Sequence, residues 1–169
     1  PLVPIGDRIL FAEYDYCLNL GGFSNISFEQ DGKRIAFDIS PVNTVLNFYA
    51  NQLGLPYDDK GEIARGGETD IALLEELDNL SYYQKPYPKS LGFEFVKTIV
   101  LPLIESYDLT VEDKMHTFIK HIAKQISENI LERIAVGPPP KPPAPAPPDP
   151  PRPKGPPNPP VNPSNPPPD

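Results

Sequence analysis

Apolar and polar residues alternate along the first third of the chain, as they do in strands with one buried face. The predicted strands span Tyr16–Leu20, Asn25–Glu29 and Arg34–Asp38. Ile26 and Phe28 point to one side of the second strand, and Ile35 and Phe37 repeat the pattern in the third. Between these two strands, Asp31-Gly32 is typical of a type I′ turn, whose central residues both take positive φ. The pattern predicts a three-stranded antiparallel meander.

After the strands, apolar residues recur every three to four positions, which predicts helices that bury one face. The predicted helices span Val42–Leu53, Thr69–Leu80, Gly92–Leu103 and residues 110–134. Thr110 followed by Asp113 approximates a capping box at the start of the last and longest helix. The residues predict an antiparallel meander followed by helices, which is an α+β arrangement.

The composition changes abruptly at Gly137, since 19 of the 26 prolines lie between Pro138 and Asp169. This segment has too few apolar side chains to offset an ordering entropy of about 1–2 kcal/mol per residue. We therefore divide the chain into a folded part, residues 1–136, and a proline-rich tail, residues 137–169. We predict that the tail is disordered and mostly extended as polyproline II.

The formal net charge of −8 disfavours nucleic acid and anionic membranes as partners. No apolar run approaches the roughly 18 residues of a membrane span, and the single cysteine, Cys17, cannot form an internal disulfide. These features predict a soluble, cytoplasmic protein without a membrane partner. His116 and His121 are five positions apart and project from different helix faces, so we predict two solvated or half-buried histidines and no metal site.

Two features near the strands have residue types that can carry chemistry. Gly21-Gly22 lacks side chains, so a ligand could approach the backbone and N–H groups could converge on an anion; an ordinary tight hairpin is the alternative. Asp38 ends the third strand immediately before a helix. A carboxylate there either caps the helix or acts as a general base, and the pattern alone leaves both roles open.

The order of strand, glycine hairpin, strand, turn, strand and helix resembles the opening of a half-molecule in the actin-like sugar-kinase superfamily. Four segments, LNLGGFSNISF, AFDISPVN, YDDKGEIARGG and PYPKSLGFEF, together resemble the anhydro-N-acetylmuramic acid kinase family. PLVPIGDRILF is similar to the segment just ahead of that family's hairpin. The resemblance covers Pro1 to about Ile134 and implies part of an α/β, actin/RNase H-like fold.

The resemblance implies ATP-dependent phosphorylation of 1,6-anhydro-N-acetylmuramic acid, with water opening the anhydro ring to give a 6-phosphate for cell-wall recycling. ATP and Mg²⁺ would be the cofactors and the anhydro-amino sugar the substrate. Asp38 would be the base that takes a proton from the attacking water. The phosphate-binding positions would be Asn19, Gly21, Gly22 and Asn25, and the sugar-binding positions Asn43, Lys89 and Ser90.

The chain departs from the family pattern at two places. Ile39-Ser40 stands where Thr-Gly is commoner, and Phe93 stands where an arginine often precedes the glutamate. For Asn43, Lys89 and Ser90, ordinary loop solvation is the alternative to sugar binding. Both departures bear on how the substrate would fit.

A second phosphate loop and an adenosine motif of the family do not occur in this sequence, so we expect the chain to be incomplete as a kinase on its own. The alternative function is a catalytically inactive fragment or an interaction module. P-x-x-P spacings near Lys141, Arg152 and Lys154 suit SH3-like or WW-like domains, and a tail joined from unrelated sequence is another interpretation. An unpaired sheet edge also predicts self-association or a homodimer.

Overall fold

The computed structural model describes residues 2–136. The tail predicted at 137–169, and with it the predicted domain boundary, lies outside the described residues. The strands are β1 (Tyr16–Leu20), β2 (Phe23–Gln30) and β3 (Lys33–Pro41). The helices are α1 (Leu2–Leu10), α2 (Asn43–Gln52), α3 (Glu62–Arg65), α4 (Ile71–Asp78), α5 (Phe93–Phe95), α6 (Leu101–Glu105) and α7 (Val111–Val136). The chain is therefore α+β, as predicted.

The three strands form one antiparallel sheet in the order β1-β2-β3. Asp31 and Gly32 both take positive φ, 50° and 72°, which confirms the predicted turn. The pairing of β2 with β3 shifts at one point, because Asn25 pairs with Asp38 whereas Ser24 pairs with Ser40. The additional residue on β3 forms a β-bulge, which bends the end of the strand that carries Asp38.

The predicted helices are present, with shifted ends and one interruption. Asp70 caps α4 by accepting a hydrogen bond of 2.8 Å from the Leu73 N–H. The predicted helix at 92–103 is α5 and α6 joined by a π-helical turn, Val96–Val100. Helix α1 was not predicted. A short 3₁₀ turn, Asp59–Gly61, precedes α3, and both lie between the predicted helices 42–53 and 69–80.

Two apolar clusters form the core, and α7 contributes to both. The sheet cluster contains Ile26, Phe28, Phe37 and Ile39, with Ile126 and Ile130 of α7 packed against it. The helical cluster is larger, and its members include Val45, Tyr49, Leu73, Leu77, Val96, Val100, Ile104, Met115, Phe118 and Ile122. Helix α7 therefore connects the sheet to the other helices. Its contacts with the sheet cluster support the strand that carries Asp38.

The histidine prediction was wrong for His121, which has no exposed surface, although His116 is half-buried as predicted. Cys17 is a half-buried strand residue whose sulfur accepts a hydrogen bond from the Arg34 guanidinium at 3.3 Å. Across the described residues, no helix is both long and apolar enough to cross a membrane.

Candidate functional site

Three of the predicted site residues form a row across the sheet. Asn19 of β1 lies opposite Asn25 of β2, and Asn25 lies opposite Asp38 of β3. Side chains of directly opposed residues stand on the same face, with Cβ atoms about 4.5–5.5 Å apart. The register therefore aligns two amides and one carboxylate, which the sequence had placed on three separate strands.

The glycine hairpin lies against the start of α2. The carbonyl oxygen of Gly21 accepts a hydrogen bond from the Asn43 amide at 2.9 Å. The carbonyl of Gly22 accepts from the Thr44 hydroxyl at 2.7 Å and from the Val42 N–H at 2.8 Å. These contacts hold the hairpin and the helix start together, and they bring Asn43 to the hairpin.

Close packing against Thr44 explains why residue 22 is a glycine, but no such contact explains the glycine at residue 21. A Cβ on Gly22 would lie 2.9 Å from the Thr44 hydroxyl oxygen, whereas the nearest atom to a Cβ on Gly21 would be 3.7 Å away. The described glycines with positive φ are Gly32, Gly54 and Gly61, so a left-handed backbone is not the reason for Gly21-Gly22. The amide nitrogen of Asn19 would be 3.8 Å from that Cβ on Gly21, which places a side-chain donor beside the hairpin.

Asp38 is held by four hydrogen bonds to one loop, residues 82–91. Its N–H donates to the Lys89 carbonyl at 3.0 Å, and its own carbonyl accepts from the Tyr82 hydroxyl at 2.6 Å. Its carboxylate oxygen Oδ2 accepts from the Leu91 N–H at 2.8 Å and from the Ser90 hydroxyl at 3.1 Å. Both main chain and side chain of Asp38 are therefore fixed.

The helix-cap interpretation of Asp38 is wrong. Helix α2 begins at Asn43, and Val42 occupies the cap position without a side-chain hydrogen bond. The Asp38 carboxylate instead bonds the loop at Ser90 and Leu91. The bulged strand continues to Pro41 after Asp38, so the carboxylate lies too early in the chain to reach the first N–H groups of α2.

The loop that holds Asp38 is itself fastened at several points. The Lys89 ammonium donates to the carbonyls of Tyr82 and Tyr83 at 3.4 and 3.3 Å, and lies 4.8 Å from the centre of the Tyr82 ring. The Tyr87 ring stacks on Phe37 of β3 with ring centres 5.4 Å apart. These contacts place Lys89 and Ser90, both predicted site residues, directly beside Asp38.

Tyr82 is a site residue that sequence reasoning missed. Burial raises the pKa of Tyr82 above its ordinary value, and the negative charge of Asp38 raises it further. The phenol therefore stays protonated and serves as a hydrogen-bond donor. Paired aromatic residues in a loop rich in proline and lysine were the only sequence signal, and this signal does not tell which strand the hydroxyl reaches.

The two departures from the family pattern lie in different surroundings. Ile39 has no exposed surface and belongs to the sheet cluster, while the Ser40 hydroxyl lies 3.1 Å from that of Ser24. Phe93, in contrast, is 57% exposed at the start of α5. The exchange at Ile39-Ser40 therefore alters the core beside the bulge, and the exchange at Phe93 alters the surface.

Comparisons with known proteins identify the family of the chain. A family model described as anhydro-N-acetylmuramic acid kinase matches residues 1–137. The enzyme of that name from a Shewanella species (strain MR-4) is 34% identical over 145 residues, which cover 81% of this chain and 39% of the relative. The Cupriavidus pinatubonensis protein of that name is 42% identical over 98 residues, which cover 54% of this chain and 26% of the relative.

A third relative, from Haemophilus influenzae, is 37% identical over 106 residues, 60% of this chain and 28% of the relative. All three relatives are named as kinases. The chain is a member of the anhydro-N-acetylmuramic acid kinase family. It spans at most about two fifths of the length of these curated relatives.

Proposed function

We propose that this chain forms part of an ATP-dependent kinase that phosphorylates 1,6-anhydro-N-acetylmuramic acid and opens its anhydro ring with water. Family membership supports the class of enzyme and of substrate. One observation carries the proposal: Asp38 is fixed at the bulge in β3, in a row with two amides beside the glycine hairpin. We further propose an actin/RNase H-like fold and a cytoplasmic role in cell-wall sugar recycling.

In this proposal Asp38 is the general base. Within residues 2–136, both hydrogen bonds to its carboxylate end on Oδ2, so Oδ1 remains to accept a proton. As water attacks the anomeric carbon, its proton passes to Asp38, and the bond from that carbon to the six-position oxygen breaks. The released oxygen would then bond to the γ-phosphorus of ATP as the bond from that phosphorus to the β,γ-bridging oxygen breaks, so that ADP is the leaving group. A rigidly held base favours this step because little reorientation is needed in the transition state.

The proposed phosphate-binding residues are Asn19, Gly21, Gly22 and Asn25. The two side-chain amides lie on the face that carries Asp38, and the Asn19 amide is beside the hairpin. They would donate hydrogen bonds to phosphate oxygens close to the backbone of the glycines. ATP with Mg²⁺, when bound, supplies the phosphoryl group and part of the positive charge that stabilises its transfer.

The described residues contain no group of three His, Cys, Asp or Glu side chains able to hold a metal ion by themselves. Mg²⁺ commonly binds through substrate phosphates together with one or two carboxylates. We therefore propose that it arrives with the nucleotide and is held mainly by the phosphates.

The proposed sugar-binding residues are Asn43, Lys89 and Ser90. Ser90 donates to the Asp38 carboxylate, so a sugar that reaches the base would also meet this hydroxyl. The positive charge of Lys89, held over Tyr82, would attract the lactyl carboxylate of the substrate. Asn43 lies across the site, on the Gly21 carbonyl, and would contact the sugar from the hairpin side.

A chimera tests the proposal because the chain spans only part of its relatives. Residues 2–132 would replace the matching segment of a full-length family member, with ATP-dependent formation of the sugar 6-phosphate measured by mass spectrometry. We expect activity, and we expect Asp38→Asn to abolish turnover while nucleotide binding persists. Asp31→Asn, in the exposed turn, is the matched control and should retain activity.

Two results would contradict this assignment. Full turnover by the Asp38→Asn chimera would remove the role of base from Asp38. A chimera that folds and binds nucleotide but never phosphorylates the sugar would favour the alternative, a catalytically inactive fragment or interaction module.

A further inference from the structure

A buried polar cluster joins α4, α7 and the loop that holds Asp38. His121 of α7 has no exposed surface, and both of its ring nitrogens have partners. Nδ1 lies 2.5 Å from the Asp78 carboxylate at the end of α4, and Nε2 lies 2.8 Å from the Tyr83 hydroxyl. Lys124 donates to the second carboxylate oxygen of Asp78 at 2.6 Å. Three separate segments therefore meet at one histidine.

A carboxylate, an imidazole and a hydroxyl bonded in this order resemble the catalytic triad of hydrolases. The surroundings of this cluster instead favour a structural role. Burial raises the pKa of Tyr83, and the negative charge of Asp78 raises it further, so the phenol remains protonated. A protonated phenol can donate to Nε2 of His121, and an N–H at Nδ1 can then donate to the Asp78 carboxylate. With His121 wholly buried, a substrate has no access to the ring.

The residue of the cluster in the loop, Tyr83, is adjacent in sequence to a residue that bonds Asp38. Tyr83 bonds His121, and its neighbour Tyr82 donates to the Asp38 carbonyl at 2.6 Å. Lys89 closes the connection, because its ammonium bonds the carbonyls of both tyrosines and its own carbonyl accepts from the Asp38 N–H. A displacement of Tyr83 would therefore be transmitted to both main-chain hydrogen bonds of Asp38.

We propose that His121 is a positioning residue for Asp38. By holding Tyr83, it fixes loop 82–91, and with the loop the Leu91 and Ser90 donors that orient the Asp38 carboxylate. All five residues from Gln84 to Pro88 are exposed, so the loop depends on such attachments for its order. The catalytic meaning rests on the proposed function, whereas the structural coupling is testable without it.

The test uses the full 169-residue chain and compares two tyrosines whose hydroxyls bond another side chain. Tyr83→Phe removes only the hydroxyl on His121. Tyr49→Phe is the matched control, because the Tyr49 hydroxyl donates to Glu105 at 2.8 Å, in the helical core and away from the loop. Native-state amide exchange measured by NMR would report on the Asp38 and Leu91 N–H groups, both of which are bonded at the site.

We expect Tyr83→Phe to speed exchange at these two amides at least about tenfold more than Tyr49→Phe does, after differences in global stability are subtracted. Equal effects of the two substitutions would overturn the proposal. The Tyr83 ring, 4.8 Å from the His121 ring, is retained by phenylalanine, so the variant keeps the packing of this region.

Two substitutions of His121 separate its two hydrogen bonds. Gln places its amide group near the position of Nε2, where the amide oxygen can accept from the Tyr83 hydroxyl, whereas Asn places its amide nitrogen near Nδ1 and keeps only the Asp78 contact. We expect His121→Asn to reproduce the effect of Tyr83→Phe and His121→Gln to restore slow exchange. Fast exchange in both variants would argue against a role exerted through Tyr83.

The chimera supplies the catalytic readout. There, Tyr83→Phe should lower kcat at least about threefold with little change in KM for ATP, because the base loses orientation while the nucleotide contacts remain. Unchanged kcat in an active chimera would contradict positioning. An inactive chimera would count against the proposed function alone, since the exchange measurement decides the coupling independently.

Discussion

The hydroxyl of Tyr82 donates a hydrogen bond of 2.6 Å to the carbonyl oxygen of Asp38, 44 positions earlier in the chain. Tyr82 is 4% exposed, so this bond lies away from solvent. It joins the start of loop 82–91 to the bulged part of β3. The bond therefore links the position of the candidate base to the order of a loop that local sequence patterns do not connect with it.

Tyr82→Phe should destabilise the chain by about 1 kcal/mol, the typical net contribution of a hydrogen bond, with more if the Asp38 carbonyl stays unpaired. Urea unfolding followed by circular dichroism measures this. Tyr57→Phe is the control, because Tyr57 is 57% exposed and should change stability by under about 0.5 kcal/mol. Similar losses in the two variants would show that the Tyr82 hydroxyl adds nothing to stability.

Gly22→Ala should cost about 1–2 kcal/mol, because the new Cβ would lie 2.9 Å from the Thr44 hydroxyl oxygen. Gly21→Ala, with 3.7 Å of space, should be neutral or slightly stabilising. Thr44→Ala removes the crowding atom, so the double variant should be more stable than the two separate losses predict. Simple additivity in chemical denaturation would rule out this contact as the cause.

Gly67→Ala should cost about 3 kcal/mol or more, since its Cβ would overlap the Glu112 carbonyl in the first turn of α7. The same change at Gly66 meets its nearest atom, the Ile63 carbonyl oxygen, at 3.3 Å and should cost less. Thermal unfolding of both variants measures the difference. A Gly67→Ala protein as stable as the Gly66→Ala protein would mean that the segment moves away from α7 without penalty.

Because of Asp78, the free energy of unfolding should fall at acidic pH. Burial by itself would raise its pKa, but hydrogen bonds from His121 and Lys124 outweigh burial and hold the pKa below its ordinary value. A carboxylate with a lowered folded-state pKa stabilises the fold fully above the unfolded-state pKa of about 3.9, and this stabilisation disappears as the pH falls through the folded-state pKa.

The stability difference between the wild-type chain and Asp78→Asn should therefore be large above about pH 5 and shrink below about pH 4. Urea unfolding at a series of pH values measures it. Asp108→Asn, at an exposed position, is the control and should show a small difference throughout. A gap between wild type and Asp78→Asn that widens in acid would reverse the predicted sign.

Strand and turn positions were largely predictable, whereas the first helix was not. Helix α1 contains Pro4 and Gly6, both unfavourable in helices, and its apolar residues Val3, Ile5 and Ile9 are exposed. Helix propensity therefore did not indicate a helix, although Leu2, Ile5 and Ile9 recur at helical spacing. Its docking instead uses polar contacts, since Asp7 accepts a hydrogen bond from Ser27 of β2 at 2.5 Å.

The residues of the candidate site were selected from the sequence, but the contacts that arrange them were not predicted. Gly22 and Asp38 were selected from local pattern and family resemblance. The contact of Gly22 with Thr44 and the four bonds that hold Asp38 join segments about 20 to 50 positions apart. Periodicity describes residues within a single helix or strand, so it does not indicate which distant segments come into contact.

The sequence by itself determined the properties that depend on neighbouring residues. Alternation set the strands, and Asp31-Gly32 set the turn, because these depend on steric limits within a few residues. Only the tertiary structure decided that Asp38 holds a loop rather than a helix, and that His121 is buried between Asp78 and Tyr83. Burial and long-range hydrogen bonds depend on which segments pack together, and that is a property of the whole fold.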